Sequence, residues 1–206
     1  MLAGTFAGMW GNAEFDAPSL DGGRFARGVA LHDWHYGPLD NLPIGGLDPT
    51  GWLETVRKGV VLTLPDATED IVAKLHIRRL LSYDASPERA ALIGRIDAHV
   101  AERLPATGHA LAEFQWADSI TDLCDRLAFD FAFEQPVKTT IKVFARLGAS
   151  DETALAYELR AAGEMLLHPW PFSSDRLSGF VLGYAADGYP DTLTAHLVPY
   201  NIRPAG

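Results

Sequence analysis

The chain changes character near Gln135–Pro136, and that break limits the folds open to it. Before it, apolar residues recur at the period of a helix; after it, they alternate with polar ones as on a half-buried strand. An α+β fold follows, with a mainly helical body over residues 1–135 and a small, antiparallel, β-rich part over 136–206 packed on it. At 206 residues the chain suits one domain with an appendage or two small domains, with ample length for a core.

SLDGGRFARGVALHD predicts a helix through Phe25 and Val29 that ends before His32, with Gly22 and Gly23 blurring its start. The Gly- and Pro-rich NLPIGGLDPTG, residues 41–51, predicts a loop. TEDIVAKLHIRRLLSY sets Ile71, Val72, Leu75 and Leu80 at helical spacing. SPERAALIGRIDAHVAERL opens with Ser86 as N-cap and Pro87 in the first helical position, above a stripe of Leu92, Ile96, Val100 and Leu104. A last long helix is expected from about His109 to Glu134. Beyond the break, KTTIKVFARL, LSGFVLGYAADGYP and TLTAHLVPYNIRP read as strands. ALAYELRAAGEMLLHPWPF reads as two strands about a turn at Ala162–Gly163, although ALAYELRAAGEMLL suits a helix equally on propensity. His168 and Trp170 of HPWPF are expected to pack where the sheet meets the helices.

A net charge of −10, with 17 basic against 27 acidic residues, argues against a broad phosphate-neutralising surface for nucleic acid. It leaves an anionic small substrate open, because a metal supplies positive charge locally. No apolar run approaches the ~20 residues needed to span a bilayer. The opening MLAGTFAGMWGNAEF lacks the basic and long apolar segments of a signal peptide, so a cytoplasmic location is expected. The lone Cys124 excludes an intrachain disulfide and a cysteine-rich zinc site, and its neighbour Asp125 does not favour a reactive thiolate. The glycine-rich pieces lack a strand–turn–helix context and no GxSxG is present, so neither a phosphate-binding loop nor a nucleophile elbow is read.

The long helix carries one stripe of Trp116, Ile120, Leu123, Leu127 and Phe131, and a second of Leu111, Phe114, Asp118, Asp122, Asp125 and Phe129. The second stripe is apolar at both ends with three carboxylates between, and buried carboxylates need cations, donors or a metal. A plainer reading has Asp118 and Asp122 facing water while Arg126 or another arginine neutralises Asp125. His32–Asp33 follows a helical apolar run, and imidazole and carboxylate both suit Mn, Fe, Mg or Zn. The plain reading of that pair is an Asp that caps the next segment and a His packed on Trp34. His76 lies in the apolar-periodic helix, where a hydrogen-bonded core role is the commoner one. Arg78 and Arg79 follow it and are candidates to hold an anionic substrate. His35 and Asp122 are candidate proton acceptors. His99 and His109 are assigned nothing.

The order His32–Asp33, then His76, then Asp125 inside CDRLAF resembles the histidine/aspartate (HD) superfamily of metal-dependent phosphohydrolases. That resemblance implies His32, Asp33 and Asp125 as metal ligands and His76 as the extra histidine of members with two ions. LAGTFAGMWGN, the HD pair, His76, DLCDRLAFDF and HPWPF together are similar to an uncharacterised bacterial family, domain-of-unknown-function family 3891, over most of the chain. That family imports no activity. Two departures stand out: the superfamily's first histidine, upstream of the pair, has no counterpart after Met1, and Trp34–His35 follow the pair where Gly and then Lys or His are usual.

The expectation is therefore an HD-like metalloprotein hydrolysing a small phosphorylated molecule with one or two divalent ions. Oxygen chemistry at a di-iron site is a variant of it. The competing expectations are a non-catalytic ligand-binding or regulatory domain on the same scaffold, and a structural protein whose histidines and aspartates pair in the core. Neither nucleic acid nor membrane is expected as a partner.

Overall fold

A computed structural model describes residues 2–39, 42, 47–133, 137–160 and 163–206. Among these residues six α-helices precede five strands: α1 (Leu2–Gly8), α2 (Gly22–Ala30), α3 (Pro49–Val61), α4 (Ala67–Leu81), α5 (Pro87–Arg103), α6 (Leu111–Ala132), then β1 (Val137–Val143), β2 (Thr153–Leu159), β3 (Glu164–His168), β4 (Leu177–Tyr184) and β5 (Ala195–Pro204). Helices first and strands after is the α+β order expected. Gln135–Pro136, Glu134 at the expected end of the long helix, Ala162 of the expected turn, and residues 41 and 43–46 of the expected loop lie outside the described residues. Among the described residues no helix is long and apolar enough to cross a membrane.

The helices start where side chains take up free backbone N–H groups. Asp21 accepts from Arg24 N, Asp66 from Thr68 N and Glu69 N, and Ser86 from Arg89 N, each opening a helix. Asp48 does the same for α3, accepting from Gly51 N with Pro49 in the first turn, so the expected loop gives way to helix before Gly51. Helix α4 is the hub, buried almost throughout from Thr68 to Ile77 and packed against α2, α5 and α6. Its buried Lys74 donates from Nζ to the carbonyls of Gly59, Val60 and Leu62, closing the end of α3, and burial lowers the pKa of the ammonium. Gly28 sets how closely α2 meets α4. A Cβ there would lie 2.8 Å from Val72 Cβ and 3.1 Å from the Glu69 backbone, too close without movement.

The sheet runs β1-β2-β3-β5-β4. The sheet is mainly antiparallel, as expected, with one exception: β3 and β5 pair parallel, Met165 opposite Ile202, while the other neighbours are antiparallel. The chain leaving β3 carries β4 to the sheet's edge, and β5 returns into the gap between them. ALAYELRAAGEMLL is two strands, and Gly163 has the positive φ of 72° that a glycine supplies cheaply.

One core joins both parts, with Phe6, Phe25, Ile71, Ile120 and Leu127 of the helices beside Tyr157, Met165, Leu167 and Ile202 of the sheet. Trp116 Nε1 donates to Phe144 O at 2.8 Å, and Tyr157 Oη donates to Asp130. Gly11 N donates to Pro171 O, and Trp10 packs edge-on against Phe172, 6.2 Å between ring centres. Trp170 packs on Phe172 at this seam, whereas His168, expected there too, is exposed.

Candidate metal centre

Helix α2 stops at Ala30, and the turn that follows swings two consecutive side chains to one side. Leu31 N donates back to Arg27 O, and Trp34 N to Leu31 O. Adjacent side chains on a continuous helix would stand about 100° apart. Here His32 Nε2 lies 3.0 Å from Asp33 Oδ2. Asp125, from the middle of α6, approaches the same nitrogen, Oδ1 to Nε2 3.1 Å. His76, from the middle of α4, sets Nε2 3.2 Å from Asp33 Oδ1, and its ring meets that of His32 edge-on at 4.3 Å. The four residues singled out as ligands therefore meet at one place. The ligating atoms of His32, Asp33 and His76 all fall within 4.8 Å of one another.

Burial and hydrogen bonding divide the roles. His32 is buried and its Nδ1–H donates to the Val29 carbonyl, which leaves Nε2 aimed at the carboxylates. Burial works against charge on His32, but the hydrogen bonds to Asp125 and Asp33 outweigh it and raise its pKa to about 10. Burial would lift both aspartates, yet the imidazole hydrogen bonds prevail and hold Asp33 and Asp125 below the usual carboxylate range. Burial pushes His76 down.

His76 is tied from behind. Arg79 Nη2 lies 2.9 Å from His76 Nδ1, and a guanidinium only donates, so Nδ1 accepts and the ring proton sits on Nε2, facing Asp33. For Nε2 to ligate an ion, the proton would have to move to Nδ1, beside Asp125 Oδ2 at 3.6 Å. His32 needs no exchange of tautomer, only loss of its Nε2 proton.

Imidazole and carboxylate are donors that could hold a divalent ion, although the same spacing serves hydrogen bonds. Ligands about 2.1 Å from an ion and at right angles stand about 3.0 Å apart, close to the spacing around His32 Nε2. An imidazole whose far nitrogen donates to a backbone carbonyl is the usual second support of a histidine ligand.

The remaining candidates are placed differently. Arg79 ion-pairs with Asp118 and with Asp122, Nε to Oδ1 3.1 Å for the latter, so it anchors α4 to α6 behind His76 and, with Asp118, borders the cleft that Arg78 also lines. Asp122 is thus committed to Arg79 and does not line the opening in front of His32. Arg78 bonds Asp97 at 2.7 Å and lines a separate cleft of about 450 Å³ with Leu75 and Val100. His35 is buried beneath Gly59, where a Cβ would come 2.7 Å from its ring, and it packs on Tyr36 at 4.2 Å. Neither ring nitrogen meets a partner among the described residues, and burial lowers its pKa to about 4. Burial holds it neutral, and it makes no hydrogen bond to the carboxylates it was expected to serve. Cys124 is fully buried, and burial raises its thiol pKa.

In front of His32, Asp33 and Asp125 lies a cleft of about 530 Å³. Helices α1 and α6 and the end of α2 form one side and the β4–β5 hairpin the other. That second wall escaped the sequence reading, because nothing in an alternating strand pattern says which helix end it will face. Neither protein-family models, nor curated proteins, nor solved structures match this chain.

Proposed function

We propose that the chain is a metal-dependent hydrolase of a small phosphorylated molecule, with an HD-like arrangement of His32, Asp33 and Asp125 around one divalent ion. The observation that carries this reading is His32 Nε2, directed by the Val29 carbonyl into the space between two carboxylates at the floor of a cleft. Manganese, iron, magnesium or zinc bound there would supply Lewis acidity and a more acidic water. The chain's own part is to orient. His76 donates Nε2–H to Asp33 and fixes that carboxylate, and Arg79, held by Asp118 and Asp122, fixes His76. Asp33, the most exposed of the four with its side chain 48% accessible, stays ionised and would hold the ion from the cleft side. His35 and Asp122 have no part in this scheme, and neither does Arg78.

The test is metal content by mass spectrometry of protein purified without chelator, with turnover of simple phosphomonoesters alongside. One divalent ion per chain, lost in Asp125→Asn together with turnover, is the expected result; a chain that takes up no manganese, iron or zinc refutes the proposal. A second reading, a non-catalytic ligand-binding or regulatory domain on the same scaffold, is favoured by one feature. No lysine or arginine is among the cleft-lining residues described, so no side chain stands ready to take the charge of a departing group. Metal uptake with ligand binding but no turnover would select it.

A further inference from the structure

The wall of the cleft is as informative as its floor. Leu2, Ala128, Phe129, Val181 and Val198 surround the opening above His32, Asp33 and Asp125, and no lysine or arginine joins them among the described residues. The nearest arginine behind the site, Arg79, is used by Asp118 and Asp122. Two carboxylates and His32 make the floor, and an ion held there in place of the His32 proton is the cation an entering anionic group would meet. A chain of several phosphates would meet no further cation along an apolar wall.

Strand β4 adds an independent sign. Its large side chains, Phe180, Leu182 and Tyr184, are exposed, Leu182 and Tyr184 at the border of the cleft, and the alternate, less exposed positions are Gly179, Val181 and Gly183. Burial alone favours the opposite assignment, with the bulky residues turned inward. At Gly179 the missing side chain is filled by Tyr200, since a Cβ would lie 2.7 Å from its hydroxyl. At Gly183, which lines the cleft, a Cβ would make ordinary contact with Val198 Cγ2 at 3.5 Å, so a side chain there enters without a clash.

We propose, resting on the metal reading above, that the cleft takes a small molecule with a single anionic group directed at the His32–Asp33–Asp125 floor and an apolar, ring-sized body lying between Phe129 and the Val181–Gly183 stretch. A volume of about 530 Å³ is in the range that encloses such a molecule. Monoesters of apolar alcohols belong to this class, and nucleoside polyphosphates do not.

The experiment compares 1-naphthylphosphonate with methylphosphonate by calorimetry on the manganese-loaded chain; neither can be hydrolysed as an ester. Burying the ring system should make the naphthyl compound bind about 30-fold tighter. Gly183→Leu, which puts a side chain into the cleft, should bring that ratio down to about threefold while manganese still binds one per chain. Phe129→Ser, at a position 58% exposed and so harmless to the core, should reduce the ratio about fivefold and guards against a folding failure of the glycine variant. Manganese uptake with equal affinity for both phosphonates overturns this inference and leaves the metal centre standing. No manganese uptake overturns both.

Discussion

Two histidine–aspartate clusters sit in the same helical body, and they are built to opposite ends. Around Asp70, at the start of α4, every partner is protein. Leu64 N donates to Oδ1 at 2.9 Å, His99 Nε2 meets Oδ2 at 2.6 Å, and Arg103 ion-pairs with it at 3.4 Å. The carboxylate is 1% exposed and both its oxygens are used, which ties α4 to α5 and to the segment between α3 and α4. Around Asp33 and Asp125 two carboxylates share two imidazoles, both carboxylates remain partly accessible, and a cleft opens in front. The residue types are the same in both. The difference lies in whether protein donors exhaust the carboxylate lone pairs, and in whether the histidine is turned by a backbone carbonyl toward an open space.

Removing a histidine from each cluster tests that contrast most strongly. His32→Ala should weaken manganese binding by about a thousandfold or more, well beyond the about 10–100-fold that loss of an outer partner costs. His99→Ala should leave the affinity within about twofold, since it shares no partner with the site. Isothermal calorimetry reads both, and equal losses would erase the distinction between the clusters. The aspartates should divide the other way. Asp70→Asn breaks a buried pair whose partners are 22% and 26% exposed, so the cost should be about 2–3 kcal/mol, near the lower edge of the range for such breaks. Asp125→Asn should cost less stability but remove the metal. Denaturant unfolding of the two variants decides this; an Asp125→Asn that unfolds the chain as readily as Asp70→Asn would make the open cluster a structural one.

The sequence made the open cluster easier to find than the closed one. His32 and Asp33 stand together at the end of an apolar run, and Asp125 interrupts an apolar stripe, so both departures are visible in a linear reading. Asp70 and His99 lie in ordinary amphipathic helices, and only the packing of α4 on α5 unites them. Arg78 and Arg79 looked interchangeable because adjacency in sequence hides the turn of about 100° between neighbouring helical positions. That turn sends Arg78 to Asp97 on α5 and Arg79 to His76 and the aspartates of α6. Helices α2, α4, α5 and α6 were legible from their period, and α5 also from its Ser86–Pro87 start, whereas α1 and α3 were not read as helices, α3 beginning inside a Gly- and Pro-rich stretch. The parallel pairing of β3 with β5 depends on the route of the connections, which local alternation does not encode.

Protonation should sharpen the contrast by a smaller amount. In the folded chain without metal, His32 has its pKa raised from 6.5 to about 10, and the protonated form is the one that pairs with Asp33 and Asp125. Its contribution to stability is therefore full below about pH 6.5 and is lost as the pH rises through about 10. A metal needs the Nε2 lone pair and must displace that proton, so affinity runs the other way. It should rise about tenfold for each pH unit between 7 and 9, with close to one proton released per ion. Calorimetry in buffers of different ionisation enthalpy counts the proton. A flat affinity would mean that His32 is already neutral, or that it does not ligate.

The smallest effect is expected at His76, and it separates a ligand from a residue that positions one. His76 is 1% exposed, accepts from Arg79 at Nδ1 and donates from Nε2 to Asp33. In that state its lone pair faces the guanidinium and is not available to an ion. His76→Gln keeps a donor able to face Asp33, so manganese affinity should fall about tenfold, as for other outer partners. A loss matching that of His32→Ala would show that the ring takes the other tautomer when metal binds, with Nδ1–H turned toward Asp125 Oδ2. Arg79→Met then distinguishes the two arrangements. It frees Nδ1 to carry the proton, so affinity should rise if His76 is a ligand restrained by the guanidinium. If His76 only orients Asp33, losing Arg79 loosens that support and affinity should fall by a few-fold, to about the level of His76→Gln.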